Sequence, residues 1–196
     1  MKKMYVVAVA ILFVFALCSK VRAETIWSDG FESGDFSAWT SVSGSWGLVH
    51  SSSGAKSGAY RASIDGETSL DGDILLLEKS TVGYENLQWS CWYKVNAGLE
   101  EEDHVFVEWS NNSGADWQIL TEYTKVPSGD WQYASFDLPE TADDNPLCQF
   151  RFRAVLGNPS DCMSFDDMSL LTVPEPSSIL LLLSCLFFLI MGYKLK

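Results

Sequence analysis

The feature that most constrains this chain is a period of two. Between residues 24 and 172 short runs alternate apolar and polar side chains, and Gly, Asn, Asp and Pro punctuate them. Leu87, Trp89, Cys91, Tyr93 and Val95 alternate with Gln88, Ser90, Trp92 and Lys94. Val105, Val107 and Trp109 alternate with Phe106, Glu108 and Ser110. Successive side chains of a strand point to opposite faces, so this pattern predicts half-buried strands. Further strands are expected at 39–42, 46–50, 59–64, 74–79, 117–124, 131–138, 148–155 and 162–171. Turn signals separate them: Ser43-Gly44, Asp65-Gly66, Asp71-Gly72, Asn111-Asn112-Ser113-Gly114, Ser128-Gly129-Asp130 and Gly157-Asn158-Pro159. No stretch sustains an apolar stripe of helical period, and no internal repeat is evident. The expectation is an all-β antiparallel sandwich, a jelly roll, spanning 24–172.

Charge divides the 196 residues into three parts. Residues 1–23 carry four cations and no acid, residues 24–172 carry a net −18, and residues 173–196 carry +1. The overall −13 excludes the basic footprint that nucleic-acid binding requires. The first part reads as a signal peptide: Lys2 and Lys3, then an uncharged, mostly apolar run, then Val21-Arg22-Ala23 before Glu24. The mature chain would begin at Glu24 in an oxidising compartment. In the third part, Pro174 and Pro176 make a stiff linker. Residues 179–193 are uncharged and have no polar face, and Lys194 and Lys196 follow them. That order predicts a single transmembrane helix with its cations on the cytoplasmic side.

Val173-Pro174-Glu175-Pro176, an apolar stretch and a basic terminus together resemble the PEP-CTERM sorting signal of Gram-negative bacteria. The resemblance implies that an exosortase-type membrane transpeptidase cleaves near the motif. The exported part is then delivered to the cell surface or extracellular matrix. The body carries a second resemblance. Its residues are the segments from Asp29 to Trp39 and from Val107 to Trp117, Arg151-Phe152-Arg153, and Phe165-Asp166-Asp167-Met168-Ser169-Leu170. In that order they are similar to MAM-like and concanavalin A-like jelly rolls of secreted and surface proteins.

Catalytic constellations are sparse. The chain holds two histidines, His50 and His104, neither beside a recognisable nucleophile, and His104 follows an acidic run expected in a solvated loop. No HExxH, CxxC or GxSxG pattern occurs. The body is read as non-enzymatic. Calcium is the expected cofactor, since hard cations need several converging oxygens. Asp29, Glu32, Asp166 and Asp167 lie at the two ends of the domain, and in the jelly rolls it resembles those ends come together. Simple alternation puts Asp166 on a face with Met168 and Leu170, and Asp167 on a face with Phe165 and Ser169. One carboxylate must then point inward and needs a partner, either a cation or one of Arg61, Arg151 and Arg153.

All eight tryptophans fall in the body. Trp89 and Trp109 sit on apolar faces and read as core. Trp92 breaks the pattern: it faces a second layer or stands exposed, where it can stack on a sugar ring. The body also keeps three cysteines, Cys91, Cys148 and Cys162. One intramolecular bridge is possible, with Cys148–Cys162 expected from sequence proximity. Cys91 faces inward and reads as a buried thiol.

Three functions fit the sequence. The body binds carbohydrate or another surface polymer, such as an extracellular polysaccharide. It is an envelope component without a small ligand. Or it acts, with or without catalysis, in glycan chemistry.

Overall fold

The computed structural model describes residues 23–66, 68 and 72–173. The expected sorting motif, Pro174, Glu175 and Pro176, lies outside the described residues together with the apolar tail and residues 1–22. Among the described residues no helix is long and apolar enough to cross a membrane.

The described residues form strands β1 (Thr25–Asp29), β2 (Ser41–Val42), β3 (Trp46–His50), β4 (Tyr60–Asp65), β5 (Asp73–Glu78) and β6 (Leu87–Ala97). They continue with β7 (His104–Ser110), β8 (Gln118–Tyr123), β9 (Gln132–Asp137), β10 (Gln149–Val155) and β11 (Cys162–Thr172). A single 3-10 turn, Glu140–Ala142, interrupts the series. All pairings are antiparallel. Sheet I has the order β3-β4-β11-β6-β9, and sheet II the order β2-β5-β10-β7-β8. The architecture is the all-β antiparallel sandwich that the period of two predicted.

Strand β1 was not foreseen, because Thr25-Ile26-Trp27-Ser28-Asp29 does not alternate apolar and polar side chains. It pairs with the second half of β11, Thr25 opposite Leu171 and Asp29 opposite Met168. Strand β4 takes the first half of the same edge, Ser63 opposite Ser164 and Ala62 opposite Phe165. The two ends of the domain therefore do meet. Between the two partners the register along β6 shifts from Asp166 to Ser169, and Asp167 takes a φ of 45°. This bulge corrects the simple alternation. Phe165 and Met168, three residues apart, both reach full burial, and Asp166 is turned to the outer side of sheet I. An extra residue in a strand does this, because it resets which side chain faces the core.

The core is aromatic. The Trp89 ring lies between Trp27 and Phe150, stacked on both at centroid distances of 5.6 and 4.9 Å. Trp89, Trp109, Phe150, Phe152 and Phe165 are all buried. Each such side chain contributes about 1.5–3 kcal/mol by leaving water. This stack ties β1 and β6 of sheet I to β10 of sheet II. Cys91 also faces this interior, and burial pushes its thiol up to about 12.

The expected Cys148–Cys162 bridge is not formed; Cys91, Cys148 and Cys162 are all free. Cys148 Sγ lies 3.5 Å from the Ala142 carbonyl and 3.7 Å from Thr81 Oγ1. Cys162 Sγ contacts Asn96 Nδ2 at 3.3 Å on the outer side of sheet I. The reason is topological. Between Val155 and Cys162 the chain passes from sheet II to sheet I, and Cys148 sits at the far end of β10.

Candidate functional site

Two outer faces and one junction carry side chains that packing alone does not explain. On sheet II the alternation of β10 turns Phe150 and Phe152 inward and Arg151 and Arg153 outward. Opposite them on β7, Glu108 pairs with Arg151 and Phe106 with Arg153. Glu108 accepts from Arg151 Nε at 2.6 Å and from Arg153 Nη2 at 3.1 Å, and only 4% of its side chain is exposed. Burial acts to raise the Glu108 pKa, but hydrogen bonds from Arg153 and Arg151, with their charges, outweigh it and hold it below the usual range. The guanidinium of Arg151 lies 3.8 Å over the Trp117 ring, and that of Arg153 lies 4.1 Å over Phe106. His104 stacks on Phe106 at 5.7 Å and bonds Glu122 at 2.6 Å. His104 is the first residue of β7, directly after the acidic run. At the upper rim Gln149 donates to Glu78 at 2.6 Å. The result is a flat array of planar polar groups laid on aromatic rings, each held by a partner.

The outer face of sheet I is different. Trp92 of β6 stands beside Tyr133 of β9, with centroids 5.4 Å apart, and Tyr133 is 52% exposed. Trp92 therefore looks outward, and the structure adds the second aromatic that the sequence did not single out. The Lys56 ammonium rests 3.7 Å over the Trp92 ring. Lys56 belongs to the segment between β3 and β4, which crosses this face; Trp131 Nε1 holds the segment through the Gly54 carbonyl at 3.3 Å.

The same segment receives the acids of the junction. Asp166 accepts the backbone N–H of Lys56 at 2.8 Å and of Ser57 at 3.3 Å. Asp167 accepts the Ser57 hydroxyl at 2.7 Å. Glu32 accepts the N–H of Tyr60 at 2.8 Å and of Ala59 at 2.9 Å. Gly30 packs close, since a Cβ there would lie 3.1 Å from Asp167 Oδ1. Burial pushes Asp166 up to about 6, against backbone N–H bonds that lower it, and the charge of Asp167 adds to the rise. Glu32, Asp166 and Asp167 thus address one stretch, 56–60. Asp29 does not join them: it accepts from the Phe31 N–H at 2.8 Å and Trp39 Nε1 at 2.9 Å. Those two bonds hold Phe31 at a φ of 60° while its ring is buried. Among the described residues no three His, Cys, Asp or Glu side chains close on a point that would hold a metal ion. None of the three arginines that the sequence offered as a partner forms an ion pair with Asp166 or Asp167; Arg151 and Arg153 belong to Glu108.

The sequence reading missed the array on sheet II. Its signal was present in Arg151-Phe152-Arg153 and Phe106-Val107-Glu108, where alternation puts both cations, one aromatic and one acid outward. What it lacked was the knowledge that β10 and β7 are neighbours.

No family model and no curated protein matches the chain. Solved structures do match it. One is TmCBM61 in complex with β-1,4-galactotriose, at TM-score 0.55 and 21% identity, covering 75% of this chain and 97% of that one. Another is the CBM22-1 xylan-binding domain of Paenibacillus barcinonensis Xyn10C, at 0.54 and 14%, covering 79% and 99%. A third is the K1 cleaved adhesin domain of Lys-gingipain from Porphyromonas gingivalis W83, at 0.54 and 14%, covering 76% and 97%. The likeness is one of fold.

Proposed function

We propose that the sandwich is a non-catalytic carbohydrate-binding domain and that the outer face of sheet II is its binding surface. The observation that carries this reading is the pair of guanidiniums that share Glu108 and lie over Trp117 and Phe106. A sugar ring has an apolar face and a rim of hydroxyls. Aromatic rings meet the first, and planar charged groups in fixed positions hydrogen-bond the second. Because Glu108 holds both arginines in place before any ligand arrives, little side-chain freedom is lost on binding. The matched structures with galactotriose and with a xylan-binding domain support a carbohydrate ligand for this fold. Affinity electrophoresis of the chain in galactan and xylan gels tests the reading. Retardation by a neutral polysaccharide is expected, weakened at least about tenfold in Trp117→Ala and Arg153→Ala, a loss of about 1.4 kcal/mol. No retardation, or retardation indifferent to both substitutions, overturns it.

Delivery to the surface rests on the sequence. The Pro174-Glu175-Pro176 tail supports sorting by an exosortase-type transpeptidase after export, with the apolar segment as a transient inner-membrane anchor. A chain with Pro174→Ala and Pro176→Ala should stay in the membrane fraction with its tail attached. Surface material of the unaltered protein that still contains residues 179–196 by mass spectrometry would refute the proposal. Calcium is a separate proposal for the junction, where it would have to draw Glu32, Asp166 and Asp167 together from the donors that they accept here. Its support is that the three carboxylates address one short segment.

A further inference from the structure

The body holds seven cations, and they fall into two kinds. Arg151, Arg153 and Lys125 form ion pairs with Glu108 and Glu101. Lys56, Arg61, Lys79 and Lys94 form none among the described residues, although the body carries 25 acids. Three of these four, Lys56, Arg61 and Lys94, share one place, the outer face of sheet I, while Lys79 directly follows β5 of sheet II. Arg61 lies opposite Val49, with its Nε donated to Ser164 Oγ at 3.1 Å and its Nη1 buried without a hydrogen-bond partner. Lys94 lies two residues along β6 from Trp92 and so shares its face. Lys56 sits over the Trp92 ring. Asp166, the nearest acid in register, accepts only N–H donors of the segment 56–57 and of Asp167.

We propose that this face is a second binding surface, for a polysaccharide bearing carboxylates. Charge and shape together favour that occupant. Lys56 and Lys94 gather around Trp92 without carboxylate partners, so a carboxylate is attracted at this point of a chain of net −13, although Asp65 and Asp137 lie farther out on the same face. The aromatics add a feature that simple ion exchange does not need. Trp92 and Tyr133 sit side by side on neighbouring strands, and the Tyr133 ring is more than half exposed. Ser90 and Ser135, and then Gln88 and Asp137, continue the same two strands outward with hydrogen-bonding side chains. A linear chain laid along β6 and β9 would place apolar ring faces on Tyr133 and Trp92. Its carboxylates would meet the ammonium groups of Lys56 and Lys94. Lys56 is well suited to this, because its cation–π contact with Trp92 fixes a mobile side chain at the edge of the aromatic pair.

This surface is on the opposite side of the sandwich from the one proposed above, so the two stand or fall separately. Electrophoresis of the full chain through gels containing polygalacturonate, with poly-glutamate gels as a control for bare charge, tests the second. Retardation by polygalacturonate and little by poly-glutamate is expected. The effect should weaken about tenfold in Trp92→Ala and in Lys56→Met, fall as salt is raised, and persist in Trp117→Ala. Lys56 is an exposed loop side chain, so Lys56→Met tests the idea even where Trp92→Ala fails to fold. Three results would overturn the proposal: no retardation by polygalacturonate, equal retardation by poly-glutamate, or retardation unchanged in Lys56→Met. Loss in Trp117→Ala alone would assign the polyanion to sheet II instead.

Discussion

The two outer faces of this sandwich are built from the same strand alternation and arrive at opposite electrostatic solutions. On sheet II the outward charges around β7 and β10 have internal partners. Arg151 and Arg153 share Glu108, His104 bonds Glu122, and Gln149 bonds Glu78. On sheet I the cations lack carboxylate partners, and the acids of β11 accept the backbone N–H groups and the Ser57 hydroxyl of a crossing segment. A face whose charges are mutually held is rigid and offers fixed hydrogen-bond geometry to a neutral ligand. A face whose charges are left over offers net attraction to a ligand of opposite sign. The comparison teaches that charge count says little about binding until pairing is known.

Breaking the network of sheet II should give the largest effect on stability. Glu108→Ala leaves two guanidiniums beside each other without their shared carboxylate. Loss of one partner from a buried pair costs about 3–5 kcal/mol. Urea unfolding should show that loss, while Lys56→Met on the opposite face should stay within roughly 0.5–1 kcal/mol of the parent. The same contrast has a pH signature. The Glu108 pKa is lower in the folded chain than its ordinary value. Its stabilising contribution is therefore fully present above the ordinary carboxylate range and is lost as pH falls through the lowered folded value. The acid limb of the melting curve should be shallower in Glu108→Gln than in the parent. An identical acid limb would mean that the arginines do not act through this carboxylate.

A smaller effect separates the junction of sheet I from the paired charges of sheet II. If calcium binds through Glu32, Asp166 and Asp167, a hundredfold excess over its dissociation constant adds about 2.7 kcal/mol. For a domain of this size that raises the melting temperature by several degrees. The rise should vanish in Asp166→Asn and persist in Glu108→Gln, whose site already has its cations. An equal rise with sodium at matched ionic strength would leave these acids as hydrogen-bond acceptors for the segment 56–60 and nothing more.

What was legible in the sequence was what depends on neighbours along the chain. Alternation marked most of the strands, Trp46–His50 to the residue, because the strand period is local. It also placed Trp89 and Cys91 inside and Trp92 on the opposite face, where a second layer or solvent remained open. The exceptions have identifiable causes. Thr25–Asp29 is a strand only because the second half of β11 offers it an edge. Asp166 and Met168 part company because a bulge falls where β11 exchanges β4 for β1.

The sequence by itself determined an acidic all-β body, its turns and its inward-facing residues. Tertiary structure alone decided which strand lies beside which, and so which side chains meet. It set Arg151 against Glu108, Trp92 against Tyr133, the Lys56 ammonium over the indole and the Lys56 N–H on Asp166. It also kept Cys148 from Cys162 by placing the first just before β10 of sheet II and the second at the start of β11 of sheet I. The physical reason is range. A side chain's facing follows from the geometry of its own strand. Its partner is selected by contacts that close only when segments far apart in the chain pack together.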